Sequence, residues 1–394
     1  MQIPEQVRAF IKEHLSDDVR KLILQKDKFP EVDIHFVARQ IEGRRKAMEK
    51  FPRLAKNEAF IYPSKEAMEQ CSSEYTAQYK ASLVQDATVA DITGGLGIDS
   101  LYLSESNMRV VHIERNPELQ EIAAHNFSAL QRNNIQSHCS DAIAFLENTD
   151  MFFDLVFIDP ARRDSSKNKV FLFSDCEPDV TKLRKLLFSK TKRVLIKASP
   201  FLDISKAVAE LGNISHVHIV AVKNECKELL FECVPESTPL QQIHCVNILS
   251  DGSSKKFTFS PDEERESVVQ YSDKLLSYLY EPNVTIIKSG AFKLFGQQYH
   301  LEKLHPNSHL YTSMNLVEHI PAKRFLVEAV FPFDKKGIQQ YIPEKKANLV
   351  IRNFPSSVDE AKKKFHIEDG GEIYVYLTTL QNGQKIAIRA KKID

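Results

Sequence analysis

Between about residue 85 and residue 235 short apolar runs alternate with turns and helical stretches. Ala87–Ile92, Arg109–Ile113, Gln136–Cys139, Phe153–Ile158 and Arg193–Ile196 read as strands. Helical stretches open at Asp99, Pro117, Ala142, Val180 and Asp203 between and after them. Strands separated by helices must cross over to pair in parallel, so this order predicts a mostly parallel sheet covered on both faces. The run closes with His216–Val222 and Glu228–Cys233, joined by a tight polar link with no helix between them. A link that short predicts one antiparallel strand.

The flanks differ. Residues 1–75 carry apolar positions at helical intervals, broken by Pro52 and Pro63, and predict a helical N-terminal region. The alternating part is expected to fill 76–240, a connecting α+β region 241–320, and a small α+β module 321–394. In 241–320 a hairpin turning at Asp251-Gly252 and a helix over Ser267–Leu279 are expected. The last part reads strand, helix, strand, helix, strand, strand, with 14 Lys and Arg against 9 Asp and Glu. Over all 394 residues the basic and acidic side chains balance at 53 each, so any polyanion must find a local basic patch. No apolar run reaches the roughly 18 residues a membrane span needs, and no membrane partner is expected. The six cysteines form no C-x-x-C pair, and no signal peptide is expected before them. They predict reduced thiols, a cytoplasmic location and no metal site, the spacing of Cys226, Cys233 and His244-Cys245 matching no common zinc module.

Chemistry gathers at the strand ends. Asp91-Ile92-Thr93-Gly94-Gly95-Leu96-Gly97 is a glycine turn between a strand and a helix start, where backbone N–H groups can approach a nucleotide closely. Glu114 ends the next strand, where a carboxylate can accept ribose hydroxyls. Asp141-Ala142 follows the third strand and can take an adenine edge, cap the next helix, or do both. The fourth strand stops at Asp159-Pro160, because proline cannot continue the ladder. Arg162 and Arg163 follow. They can stack on a base or hold a phosphate, or pair with Asp164 or Glu177.

Together these elements resemble the class I S-adenosylmethionine-dependent methyltransferases over roughly residues 70–235. The resemblance implies a Rossmann-like α/β sheet, mostly parallel with one antiparallel strand, and S-adenosyl-L-methionine as cofactor. It assigns the methionine part to Asp91, Thr93, Gly95 and Gly97, the ribose to Glu114, and the adenine to Asp141 and Ala142. Asp159 and Pro160 would border the methyl-acceptor pocket as the catalytic pair. Thr93 stands where the family has its first glycine.

More narrowly, Glu69–Ala77, the Asp159-Pro160-Ala161-Arg162-Arg163 loop and Glu225–Leu229 resemble bacterial methyltransferases with a THUMP-like C-terminal domain. That resemblance brings Thr76 and Tyr79 over the cofactor and implies a THUMP-like or ferredoxin-like C-terminal region with an RNA partner, ribosomal or transfer. The turn and Ile113–Pro117 look like those of bacterial rRNA guanine-N2 methyltransferases. No aromatic residue follows Asp159-Pro160, as it does in many amine-methylating relatives. Three functions stay open at this level: an RNA base N-methyltransferase, a methyltransferase of a small molecule or protein, and a non-catalytic RNA-binding protein of the same fold.

Overall fold

The computed structural model describes residues 3–162, 172–236 and 239–393. The chain forms two compact units, Met1–Val217 with Lys227–Leu240, and His218–Cys226 with Gln241–Asp394. Among the described residues no helix is long and apolar enough to cross a membrane.

The first unit opens with short helices. The longest, Ile34–Lys50, starts where the Asp33 carboxylate accepts the His35 and Phe36 N–H groups, both at 3.1 Å. Ile34, Val37, Ala38, Ile41 and Ala47 form its buried stripe, the 3.6-residue period expected of a one-faced helix.

The sheet follows. Its strands include β1 (Thr88–Asp91), β2 (Arg109–Glu114), β3 (Ile135–Cys139), β4 (Leu155–Ile158), β5 (Val194–Ala198), β6 (Ile214–Val222) and β7 (Glu225–Cys233). The order is β3-β2-β1-β4-β5-β7, with β6 beyond β7. β1 to β5 pair in parallel, and β7 runs antiparallel to β5. β4, at the centre, is buried at all four positions, as a strand covered on both faces must be. The glycine turn, Glu114, Asp141 and Asp159 thus lie at the carboxyl ends of β1 to β4, the edge where open α/β sheets bind ligands.

In the second unit β8 (Gln242–Ile248) and β9 (Ser254–Phe259) form the expected hairpin. The helix expected over Ser267–Leu279 is not there. A helix forms earlier, at Pro261–Glu266, because Ser260 and Glu263 close a reciprocal capping box and Pro261 takes the first helical position. It stops at Ser267, and Leu279 lies in a strand instead. A seven-stranded sheet then contains β10 (Tyr278–Pro282), β11 (Glu302–Lys303), β12 (Tyr311–Ser313), β13 (Ala322–Phe331), β14 (Asn348–Ile351), β15 (Ile373–Thr379) and β16 (Lys385–Ile393). Their order is β11-β12-β10-β13-β16-β15-β14.

With helices Lys335–Tyr341 and Val358–Phe365, residues 322–393 keep the expected order of elements. Alternation on β15 and β16 sorts the core: Val375, Leu377 and Ala387 pack with Ile338 and Ala361 of the two helices, whereas Tyr376, Ile386 and Ile388 pack with Leu279 and Phe325.

Candidate active site

A cleft of about 1270 Å³ opens at the carboxyl edge of the first unit's sheet. Asp91, Thr93, Gly95, Gly97, Glu114, Asp141, Ala142, Asp159 and Pro160 all line it.

The turn after β1 is held from several sides. Gly97 caps the helix Ile98–Leu103 in the left-handed region at φ 81°, and a Cβ there would come within 2.4 Å of the Phe127 ring. A Cβ on Gly94 would strike the His112 ring at 2.2 Å. Gly95, at φ 55°, has its nearest obstacle, the Thr93 carbonyl oxygen, 4.0 Å away. Two of these glycines therefore serve close packing behind the turn, and the third leaves room in front of it. His112 packs beneath, its Nδ1 3.0 Å from Ser137 Oγ and its Nε2 3.3 Å from the Gly95 carbonyl oxygen. Burial holds its imidazole down to about 4.

Asp91 is almost wholly buried at the edge of the cleft. Its Oδ2 accepts the Ser100 hydroxyl at 2.6 Å and its Oδ1 the Thr93 N–H at 3.4 Å. Burial pushes its carboxyl up to about 7, and the charges of Asp99 and Asp159 push the same way. The Thr93 hydroxyl accepts the Asp159 N–H at 2.6 Å, tying the turn to the loop after β4. Glu114 bridges the Gly95 N–H (2.8 Å) and the Asn116 N–H (2.7 Å). Asp141 caps the helix Ala142–Asn148 with Oδ1 alone, accepting from Ile143 and Ala144 at 2.9 and 3.0 Å. Its second oxygen has no partner among the described residues, so capping and ligand binding are compatible.

Thr76 and Tyr79 lie elsewhere. Thr76 is buried in the helix Glu74–Ala81, with its hydroxyl on the Ser73 carbonyl oxygen at 3.1 Å. Neither it nor Tyr79 lines the cleft; Ala67, Glu69, Gln70, Cys71 and Ser72 do. Arg162 pairs through its backbone with Cys176 in a two-residue ladder. Arg163 lies outside the described residues.

Sequence reasoning missed the charges at the cleft and buried beside it. Lys197, near the end of β5, sets its Nζ 2.5 Å from Asp159 Oδ2. Burial opposes the Lys197 charge, but Asp159, Glu228 and Asp99 outweigh it and hold its pKa well above the usual lysine range. Lys80, fully buried, bonds both oxygens of Glu228 at 2.8 and 2.9 Å and the Ser72 hydroxyl at 3.1 Å, and pairs with Asp99 at 3.1 Å. Ser72 in turn donates to Asp99 Oδ2 at 2.7 Å. The available signal was lysine where a strand and a helix turn inward, since lysine is almost never fully buried without a partner.

Comparison with known proteins gives this arrangement a setting. A protein-family model described as a ferredoxin-like domain matches residues 278–321, and one described as THUMP domain-like matches 322–392. Ribosomal RNA small subunit methyltransferase J of Bdellovibrio bacteriovorus is 26% identical over 123 residues, 28% of this chain and 49% of that protein. The chain thus spans about half the length of the curated relative it matches. The crystal structure of a candidate methyltransferase from Porphyromonas gingivalis W83 is 31% identical with a TM-score of 0.89, and both chains are covered in full. Matched along its whole length by that protein, and by the THUMP-like model at its C-terminal end, the chain belongs to the class I methyltransferases with a THUMP-like C-terminal domain.

Proposed function

We propose that the chain is an S-adenosylmethionine-dependent methyltransferase acting on a base nitrogen of structured RNA, ribosomal or transfer, with guanine N2 the first candidate atom. The observation that carries this reading is convergence: a glycine turn, Glu114, Asp141 and Asp159-Pro160 border one cleft. The residues present fit the cofactor. Gly95 leaves open space where a side chain would stand, and Glu114 keeps lone pairs for ribose hydroxyls beyond its two backbone bonds. Asp141 keeps a whole oxygen for an adenine amine, beside the Ala142 N–H.

The bound cofactor supplies a methyl group already activated on a sulfonium. The protein's work is then to position the acceptor and exclude water. Asp159 and the Pro160 carbonyl would accept the N–H groups of an exocyclic amine, leaving its lone pair aimed at the methyl. Arg162 and Arg163, which follow Ala161, would stack on the acceptor base or hold its phosphates. RNA as partner is supported by the name of the Bdellovibrio relative and by the THUMP-like match.

Two measurements on Asp159→Ala test the acceptor side. Calorimetric titration with S-adenosylmethionine should give wild-type affinity. Methyl transfer should fall by roughly two orders of magnitude or more. Equal loss of binding and transfer would mean that Asp159 belongs to the cofactor site.

A further inference from the structure

At the cleft Lys197 meets Asp159, and in the packed core beneath Lys80 meets Glu228 and Asp99; the two ammonium groups are not interchangeable. Lys80 already serves two of the acids: it bonds Glu228 through both oxygens and pairs with Asp99, which Ser72 also supports. Lys197 instead makes its close contact with Asp159. The Lys197 side chain is 14% exposed and that of Asp159 35%, so the pair sits at the boundary between the packed core and the open cleft. The Asp159 N–H is held by Thr93, so both the backbone and one carboxylate oxygen of this residue are fixed.

We propose that Lys197 is a positioning residue for methyl transfer, keeping its ammonium on Asp159 Oδ2 so that Oδ1 is left to accept an N–H of the acceptor amine. This rests on the reading of Asp159 given above. The surroundings explain the need. From β1 and its turn Asp159 faces Asp91 and Thr93, and from β5 it faces Lys197. Lys197 is faced by Asp159, by Glu228 of β7 and by Asp99 of the helix Ile98–Leu103. From the N-terminal helical region it is faced by Lys50 and Cys71.

Without the ammonium, Asp159 would keep acidic neighbours and no close cation among these groups, and would take up a proton more readily. A protonated carboxyl donates from the oxygen that should accept, and the amine would lose its orientation. In the transfer itself the acceptor nitrogen's lone pair forms the N–C bond. The sulfur keeps the electrons of the broken C–S bond, and one amine proton departs to water. Lys197 takes no part in that exchange, so its removal should change the pH at which the site works before it changes the chemistry.

The test uses the full chain, tritiated S-adenosylmethionine, and RNA purified from cells that lack the gene. The rate is measured against pH for wild type, Lys197→Met and Lys197→Arg. In parallel, carbon-13 NMR follows the Asp159 carboxyl, assigned with Asp159→Asn, in enzyme without substrate. In Lys197→Met the carboxyl titration and the acid limb of the rate profile should both move up by at least about one pH unit. Lys197→Arg should leave both near wild type, and it carries the comparison with wild type if Lys197→Met does not fold.

An acid limb that stays in place in Lys197→Met, or that moves without the carboxyl, overturns the positioning role. So does a folded Lys197→Arg whose carboxyl titrates well above wild type. Absence of transfer by the wild-type protein would instead overturn the RNA reading, while the NMR comparison would still report on the pair.

Discussion

Gly95 and Gly97 occupy the same turn but do different work, and substitution separates them. Gly97→Ala forces a left-handed backbone on alanine and drives a Cβ into Phe127. That should cost about 2–4 kcal/mol of stability, read by urea unfolding. Gly95→Ala carries the backbone penalty without the clash, about 1–2 kcal/mol. Its main effect should be on cofactor affinity, weakened tenfold or more by calorimetry. If both variants lose stability equally and bind alike, the open space at Gly95 is not the cofactor's.

The turn also carries a pH signature. His112 titrates at about 4 in the folded chain against 6.5 in the unfolded one. The unfolded state therefore takes the proton first, and up to about 3 kcal/mol of stability present above pH 6.5 is lost as pH falls toward 4. Asp91 works the other way. Its folded value of about 7 lies above its unfolded 3.8, so its contribution is present at low pH and is lost as pH rises from about 4 to 7. The two slopes oppose each other in wild type. His112→Gln removes one of them, and its stability should fall more steeply than wild type as pH rises from 4 to 6.5. Parallel curves would contradict the assignment of these two buried groups. Glu114, Asp141 and Asp159 were legible in the sequence because each ends or follows a strand. Lys80 and Glu228 were not: they stand 148 positions apart, and only the return of β7 brings them together.

At the scale of elements, Asp141 is at once a helix cap and a cleft residue. Asparagine caps about as well as aspartate, whereas alanine does not. Asp141→Asn should keep wild-type stability and lose cofactor affinity, whereas Asp141→Ala should lose affinity and about 1 kcal/mol of stability as well. Equal affinity in Asp141→Asn and wild type would leave the residue as a cap alone. The same scale shows where local reading succeeds. Strand periods and glycine punctuation carried the parallel sheet, the reversed β7 and the order of elements in 322–393, because each pattern is local. The expected helix at Ser267–Leu279 failed because Leu279 belongs to a strand whose partners, β12 and β13, lie downstream. No local pattern marks that pairing. The capping box at Ser260 was a local sign of the true helix, and it was passed over.

At the scale of the whole molecule, the first unit holds the cleft lined by the glycine turn, Glu114, Asp141 and Asp159, and the second contains the ferredoxin-like and THUMP-like regions. The balanced total charge makes the modest basic excess of residues 321–394 the more telling, since it is local. The most direct test of RNA base methylation compares nucleosides from ribosomal and transfer RNA by mass spectrometry, in cells with and without the gene. One methylated nucleoside should disappear without the gene and return with the wild-type protein but not with Asp159→Ala. Persistence of every methylated nucleoside at its wild-type level would contradict the assignment of RNA as the acceptor.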